Sequence, residues 1–311
     1  MELNRSLPTI LVIVGPTASG KSLLALEIAR RIPAEIISAD SRQIYQYLTI
    51  GTAKPSRDEL KKVKHYFVDE ILPDQHFSAG EFGSAGRKRV EEILNRNKLP
   101  LVVGGTGLYI RALVDGLFSG PGRKENIREE LEARLESEGT ATLLEELRRV
   151  DPEAAARMLP SNQRRIIRAL EVFYATGKPI SQHHGEQEQK QFFNSICVGL
   201  QWDRKKLYER INSRVDAMLA AGFLDEVKDL LSRGYGDGYK SLQTVGYKEA
   251  LAFLRKEIDY ERMVELMKQN TRRFAKRQLT WFRKDKRIRW FDIEEEGEIF
   301  PIAGEVLILL K

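Results

Sequence analysis

Thr9–Val14 (TILVIV) runs directly into Gly15–Ser22 (GPTASGKS), and this junction decides the fold. The first stretch is a β-branched, apolar run without polar alternation, the pattern of a parallel strand covered on both faces. Gly15, Pro16, Thr17, Ala18, Ser19, Gly20, Lys21 and Ser22 then fit G-x-x-x-x-G-K-[ST] without a gap. LLALEIARRI follows with helical spacing, so a strand, a glycine-rich loop and a helix succeed one another. Such a loop curls so that successive backbone N–H groups point at phosphate oxygens. Lys21 brings a point charge to the terminal phosphate, and Ser22 a hydroxyl to Mg²⁺. The motif specifies a diphosphate or triphosphate site; it does not specify ATP.

Working outward, Glu35–Ser38 (EIIS) reads as a second strand ending at Asp40. Leu99–Val103 (LPLVV) reads as another, ending in Gly104-Gly105-Thr106-Gly107. Strands alternating with helices predict an α/β fold, P-loop NTPase-like, with a mostly parallel sheet flanked by helices. Near Ser119 the character changes at a turn-rich break, SGPGR. From Glu125 to about Gly177 the chain is charged and helical in period, and 182–191 (QHHGEQEQKQ) is polar and linker-like. Strand character returns at Ser195–Trp202 (SICVGLQW), and Asp203 is placed to cap a long helix. The economical division is a catalytic core of 1–118 and 195–311 with an inserted all-helical domain at 119–194. A continuous α/β chain with long helices is the alternative.

The 311 residues are 42% apolar and 31% charged, enough for a packed core and unlike a disordered chain. No apolar run reaches the roughly 18 residues of a membrane span. The apolar start runs into the glycine motif and has no cleavage-site pattern, which argues against a signal peptide. The single cysteine, Cys197, allows no internal disulfide and fits a reducing cytoplasm. One Cys and four scattered His offer no zinc-binding pattern. Net charge is +6, and Lys268–Arg289 holds ten Lys or Arg against one acid, Asp285. Such a block points to a polyanionic partner, although it also suits a solvated face.

Several side chains stand out around this frame. Asp40 lies at a strand's carboxyl end, where open parallel sheets bind ligands. It could hold Mg²⁺, serve a base-modifying reaction on its acceptor, or merely cap a helix. The glycines of Gly104–Tyr109 (GGTGLY) permit close approach of a ligand, and Thr106 offers a hydroxyl; a glycine-rich helix entry looks the same. Arg210 and Arg214, four apart, share a helix face and could clamp phosphate or face solvent. Arg164, Arg165 and Arg168 lie on neighbouring faces of one helix. Lys268, Arg272 and Lys276 stack along another, with Arg273 and Arg277 beside them, a pattern that fits RNA. Phe274, Trp281 and Phe282 read as core anchors of that helix.

Taken together, GPTASGKS, ISADSRQIY, IGTAKPS, FSAGEF, VVGGTGLYIRAL, NQRRIIRALEV, RINSRVDAML, DEVKDLL, TVGYKE and TRRFAKRQLTWFRK closely resemble the bacterial tRNA dimethylallyltransferases. The segments keep that family's order from residue 15 to about residue 284. Lys64-His65-Tyr66 departs from an expected His-His pair, and no C-terminal zinc is expected beyond the basic region, unlike eukaryotic relatives. The resemblance implies transfer of a dimethylallyl group from dimethylallyl diphosphate to N6 of an adenine beside the anticodon. It implies that Thr17 and Arg214 join Lys21 and Ser22 at the diphosphate, and that Asp40 is the base. Ser41, Arg42 and Gln43 would contact the target nucleotide and its neighbours, and Thr106 would line the channel between substrates. Arg128 and the segment Gln163, Arg164, Arg165, Ile166, Ile167 would grip the anticodon stem-loop, with Arg273, Lys276 and Arg277 also on RNA. The expected partners are tRNA and dimethylallyl diphosphate with Mg²⁺, in a cytoplasmic monomer without membrane contact. A small-molecule kinase, an adenylate isopentenyltransferase and a non-catalytic RNA-binding protein are the competing classes. The first two need no RNA-gripping surface, and the third needs no phosphate pocket.

Overall fold

The computed structural model describes residues 7–117, 122, 124–185 and 192–310. Among the described residues six strands form one sheet: β1 (Thr9–Val14), β2 (Ala34–Ser38), β3 (His65–Tyr66), β4 (Leu99–Gly104), β5 (Asn194–Trp202) and β6 (Ile288–Ile293). Their order is β3-β2-β4-β1-β5-β6, and every pairing is parallel. The unbroken apolar run of β1 is explained by its central place. Ile10, Val12 and Val14 pack into the core on one face, and Leu11 and Ile13 into the core on the other.

Helices α1 (Lys21–Arg31), α2 (Arg57–Lys62), α3 (Ala79–Asn95) and α4 (Gly107–Val114) lie between the first strands in sequence. After β5 come α9 (Arg204–Ala220), α10 (Phe223–Ser232), α11 (Tyr247–Leu254) and α12 (Tyr260–Phe282), then α13 (Ile299–Ile308) after β6. Between them stand α5 (Glu125–Val150), α6 (Pro152–Ala156), α7 (Gln163–Thr176) and α8 (Ile180–Gly185). Asp203 caps α9, accepting from Lys205 N at 2.8 Å. Among the described residues no helix is long and apolar enough to cross a membrane.

The chain divides into two compact units, residues 1–116 with 191–311, and residues 117–190. The second unit has its own core, in which Leu131, Leu143, Leu147, Ile166, Ile167 and Leu170 meet. It also buries a charge. Glu171 is fully buried and accepts from Lys124 N at 2.8 Å, while the Arg128 and Arg168 guanidiniums pair with it at 3.4 and 3.1 Å. Gly139 breaks the helical path of α5 with φ 82°. The turn-rich break near Ser119 and the far end of the linker lie outside the described residues.

β6 corrects one expectation. Ile288 and Arg289, counted within the basic block, open the last edge strand, paired to Cys197 and Val198 of β5. His65 sits in the short edge strand β3, its Nδ1 2.8 Å from Val63 O, and burial lowers its pKa. That geometry gives it a place at the sheet's edge, with β2 and β4 between it and β1.

Candidate active site

β1, β4 and β5 all deliver their carboxyl ends to one cavity of about 840 Å³, where ligands of open α/β sheets collect. Thr17–Ser22, Asp40, Gln43, Gly104, Gly105, Arg214, Phe274 and Gln278 all line it. The loop between β1 and α1 turns through positive φ at Ala18 (64°) and Gly20 (92°). For alanine such a conformation costs of order 1 kcal/mol, and it persists only where neighbours hold it. Those neighbours are identifiable. Lys21 Nζ donates to Pro16 O at 2.6 Å, Trp202 Nε1 to Ser19 O at 3.1 Å, and Arg210 Nε to Ala18 O at 3.0 Å. Gln278 Oε1 accepts from Thr17 N at 2.9 Å.

Two cations, Lys21 and Arg214, line the cavity close enough to perturb one another. Burial, helped by nearby Arg214, pushes the Lys21 ammonium down to about 7, while Asp40 opposes. Burial likewise lowers the Arg214 guanidinium, again with Asp40 opposing. Two cations held together in a partly desolvated pocket are relieved by an anion placed between them. Ser19 Oγ is the one buried side-chain polar atom without a hydrogen-bond partner among the described residues. Ser22 is exposed at the first turn of α1, which leaves its hydroxyl open to a ligand or an ion.

Asp40 follows β2. Its Oδ1 accepts from Arg42 N at 2.9 Å, which orients the carboxylate and leaves Oδ2 open. Thr106, following β4, donates its N–H to Ala39 O at 3.1 Å, and its Oγ1 accepts from Ser41 N at 3.1 Å. The Asp40 and Thr106 segments are therefore tied into one rim. Arg42 and Gln43 are partly engaged: Arg42 Nη1 donates to Lys240 O at 2.9 Å, and Gln43 Nε2 to Ala53 O at 3.1 Å.

The structure separates side chains that sequence spacing had grouped. Both Arg210 and Arg214 line the cavity, but the Arg210 guanidinium is already engaged there: it stacks over Trp202 at 4.2 Å and pairs with Glu296 at 2.8 Å. Along α12, Lys268 pairs with Asp216 at 2.6 Å and Arg272 with Asn212 at 2.6 Å, both on α9, whereas Arg273, Lys276 and Arg277 are exposed. Phe282 is a core anchor as expected. Phe274 and Trp281 are not, being 38% and 40% exposed, because their positions on α12 look toward the cavity and the 104–107 loop.

In the second unit, Arg164 and Arg165 are exposed at the start of α7, and Gln163 Nε2 donates to Thr140 at 3.0 Å. Ile166 and Ile167 correct the expectation of RNA contact. They are 0% and 3% exposed, so the apolar face of α7 spends both side chains on its own core. The Arg128 guanidinium is engaged with Glu132 at 2.9 Å as well as with Glu171.

Gln278 is the residue that motif reading missed. It has no glycine, charge or spacing signature; a polar residue on the buried side of an amphipathic helix was the available sign. The expectation for the 104–107 glycines also changes. A Cβ at Gly105 would overlap Gln278 Nε2, and one at Gly107 would overlap the Trp281 indole. Gly105 and Gly107 allow the close approach of α12, and Gly104 that of the Ala39 backbone after β2.

A glycine-rich G-x-x-x-x-G-K-[ST] loop after a central strand of an all-parallel sheet, with helices on both sides, defines a P-loop-like α/β fold. The family model described as IPP transferase matches residues 43–285, and the chain belongs to that family. The tRNA dimethylallyltransferase of Bacillus subtilis (strain 168) is 44% identical over 313 residues, covering 98% of this chain and 99% of that one. That of Acetivibrio thermocellus is 47% identical over 288 residues, 92% of each. The full-length tRNA isopentenylpyrophosphate transferase structure from Bacillus halodurans superposes with TM-score 0.71 at 39% identity, covering 97% of this chain and 96% of that. A eukaryotic dimethylallyltransferase acting on tRNA gives TM-score 0.82 at 28% identity, covering 97% of this chain and 78% of that one.

Proposed function

We propose that this protein transfers a dimethylallyl group from dimethylallyl diphosphate to N6 of the adenine beside the anticodon of tRNA, releasing diphosphate. The observation that carries the reading is one cavity holding the 17–22 loop, the Lys21 and Arg214 cations and the Asp40 carboxylate, in a chain of this family. The donor's diphosphate lies on the loop, against Lys21, Arg214, Thr17 and the backbone of Gly15–Gly20. Its C1–O bond breaks, the electron pair leaves on diphosphate, and the two cations stabilise the charge that develops there. The adenine N6 lone pair forms the new bond to C1. Its proton becomes acidic as nitrogen turns positive, and Oδ2 of Asp40 takes it. Ser22 and the diphosphate oxygens suit Mg²⁺, which when bound supplies further charge to the leaving group.

Ser41, Arg42, Gln43 and Thr106 form the acceptor rim. Exposed Arg273, Lys276 and Arg277 on α12 meet RNA phosphates, as do Arg164 and Arg165 of the second unit; Arg128 and Gln163 support that surface. The protein acts as a monomer in this reading. The buried Cys197 thiol is compatible with the cytoplasm, where tRNA is found.

The test is to incubate the protein, Mg²⁺ and labelled dimethylallyl diphosphate with unmodified tRNA or with free adenosine monophosphate. Label is expected in the tRNA alone. Label in the free nucleotide alone would move the protein to nucleotide prenylation, and label in neither would remove the donor assignment.

A further inference from the structure

We infer that Gln278 is a positioning residue for this transfer: its side-chain amide spans the two halves of the site and sets their separation. The inference rests on the prenyl-transfer reading of the cavity. Gln278 lies on α12 and is 7% exposed. Its Oε1 accepts from Thr17 N at 2.9 Å, in the loop that holds the donor. Its Nε2 donates to Gly105 O at 3.0 Å, at the end of β4. Gly105 is followed by Thr106, whose N–H bonds Ala39 O and whose Oγ1 bonds Ser41 N, on either side of Asp40. A continuous series of hydrogen bonds therefore runs from the phosphate loop, through one amide, to the residues flanking the carboxylate. The series needs Gly105, because a Cβ there would displace the amide nitrogen. It needs an amide at 278, because one end must accept and the other donate. A carboxylate could not serve Gly105 O, and a hydroxyl could not reach both loops.

The donor carbon and the acceptor nitrogen must meet within about 3–3.5 Å, and a misplacement of about 1 Å costs on the order of 10² in rate. Gln278 touches neither reacting atom, so its loss is expected in kcat rather than in ligand affinity. Gln278→Ala, Gly105→Ala and the double variant are assayed for kcat, for KM of dimethylallyl diphosphate, for Kd of inorganic diphosphate and for melting temperature. Each single variant is expected to lower kcat about 10²-fold, with KM and the diphosphate Kd changed by less than about threefold. The double variant is expected to be no worse than Gln278→Ala, since both substitutions break the same bridge. Should Gln278→Ala fail to fold, Gly105→Ala alone carries the same expectation. Unchanged kcat in Gly105→Ala or Gln278→Ala overturns the proposal. So does a diphosphate Kd that rises as far as kcat falls, which would make Gln278 a mere prop for the loop, and so does an additive double variant. Failure of the underlying reading looks different, because the parent protein then transfers no label to tRNA at all.

Discussion

At the scale of single residues, Lys21 is the group whose state depends most on pH. In the ligand-free chain burial holds it at about 7, so it loses its charge as pH rises through that value. The charged form is the one that stabilises a leaving diphosphate, and kcat/KM reports the free enzyme. The expected profile for dimethylallyl diphosphate therefore falls above about pH 7, approaching tenfold per pH unit. Lys21→Arg keeps a permanent charge, so it should remove this alkaline limb while lowering the plateau, since the fork cannot copy the ammonium's geometry. Profiles from pH 6 to 9 for both proteins check it; the same limb in Lys21→Arg would assign the titration to another group. Asp40 makes a second expectation. Asn at this position can still accept from Arg42 N but cannot take the adenine proton. Asp40→Asn should lower kcat by roughly 10²–10⁴ with a smaller change in tRNA affinity. Near-parental kcat would eliminate the base, and full rescue by high Mg²⁺ would reassign Asp40 to the metal. The loop was legible in the sequence because phosphate chemistry forces a fixed spacing on it, whereas Asp40 at a strand end read equally as a metal ligand, a base or a helix cap until the family resemblance supplied a role. Gln278 was not legible, since two neutral hydrogen bonds to distant loops impose no local pattern. Ile166 and Ile167 misled for the opposite reason, as membership of a recognisable segment says nothing about which face of α7 each side chain occupies.

At the scale of elements, α12 joins two tasks on opposite faces. Its buried side carries Ala275, Gln278 and Phe282 toward the core and the loops. Its exposed side carries Arg273, Lys276 and Arg277. Between them, Lys268 and Arg272 tie the helix to α9. Charge counting could not separate these rows, because every Lys and Arg contributes equally to a block until its partner is known. The distinction makes a measurable difference. Arg273→Glu with Arg277→Glu should weaken tRNA binding and reduce the slope of log K against log salt, by about 0.9 or less for each RNA phosphate that is no longer neutralised. Binding of dimethylallyl diphosphate should change little. Lys268→Ala with Arg272→Ala should lower the melting temperature and leave the salt slope nearly as it was. If Arg273 and Arg277 can be reversed without effect on slope, the exposed face of α12 is solvated and the RNA surface lies elsewhere. The same charge pattern concealed β6. Its exposed Arg289 and Asp292 break the apolar run, while Ile288 and Trp290 pack into the core on one face and Phe291 and Ile293 into the core on the other. A central strand such as β1 is visible because no charge interrupts it; an edge strand with an exposed charge on each face resembles a loop.

At the scale of the whole molecule, each unit has its own core, and the sheet is complete without residues 117–190. β5 pairs with β1 from Thr9↔Asn194 to Val14↔Gly199, and β6 then adds to β5. Phe193, just before β5, is 5% exposed within the core of the first unit, so an excision must stop short of it. The change of composition near Ser119 could be read because a helical segment with its own apolar stripe needs no alternating strands. The sequence could not say that this segment also buries a charge at Glu171, since a glutamate in a helix is ordinarily solvated. Replacing 117–190 by a short Gly/Ser bridge should leave a folded sheet that binds inorganic diphosphate within about threefold of the parent. The same variant loses Arg164 and Arg165 and should bind tRNA at least about tenfold more weakly, with a shallower salt dependence. Circular dichroism, calorimetry with diphosphate and filter binding of tRNA measure the three quantities. Parental tRNA affinity in the shortened chain would place recognition wholly on α12 and the Asp40 rim. An unfolded product would show that the first unit depends on the second, and the two-unit description would then fail as a statement about stability.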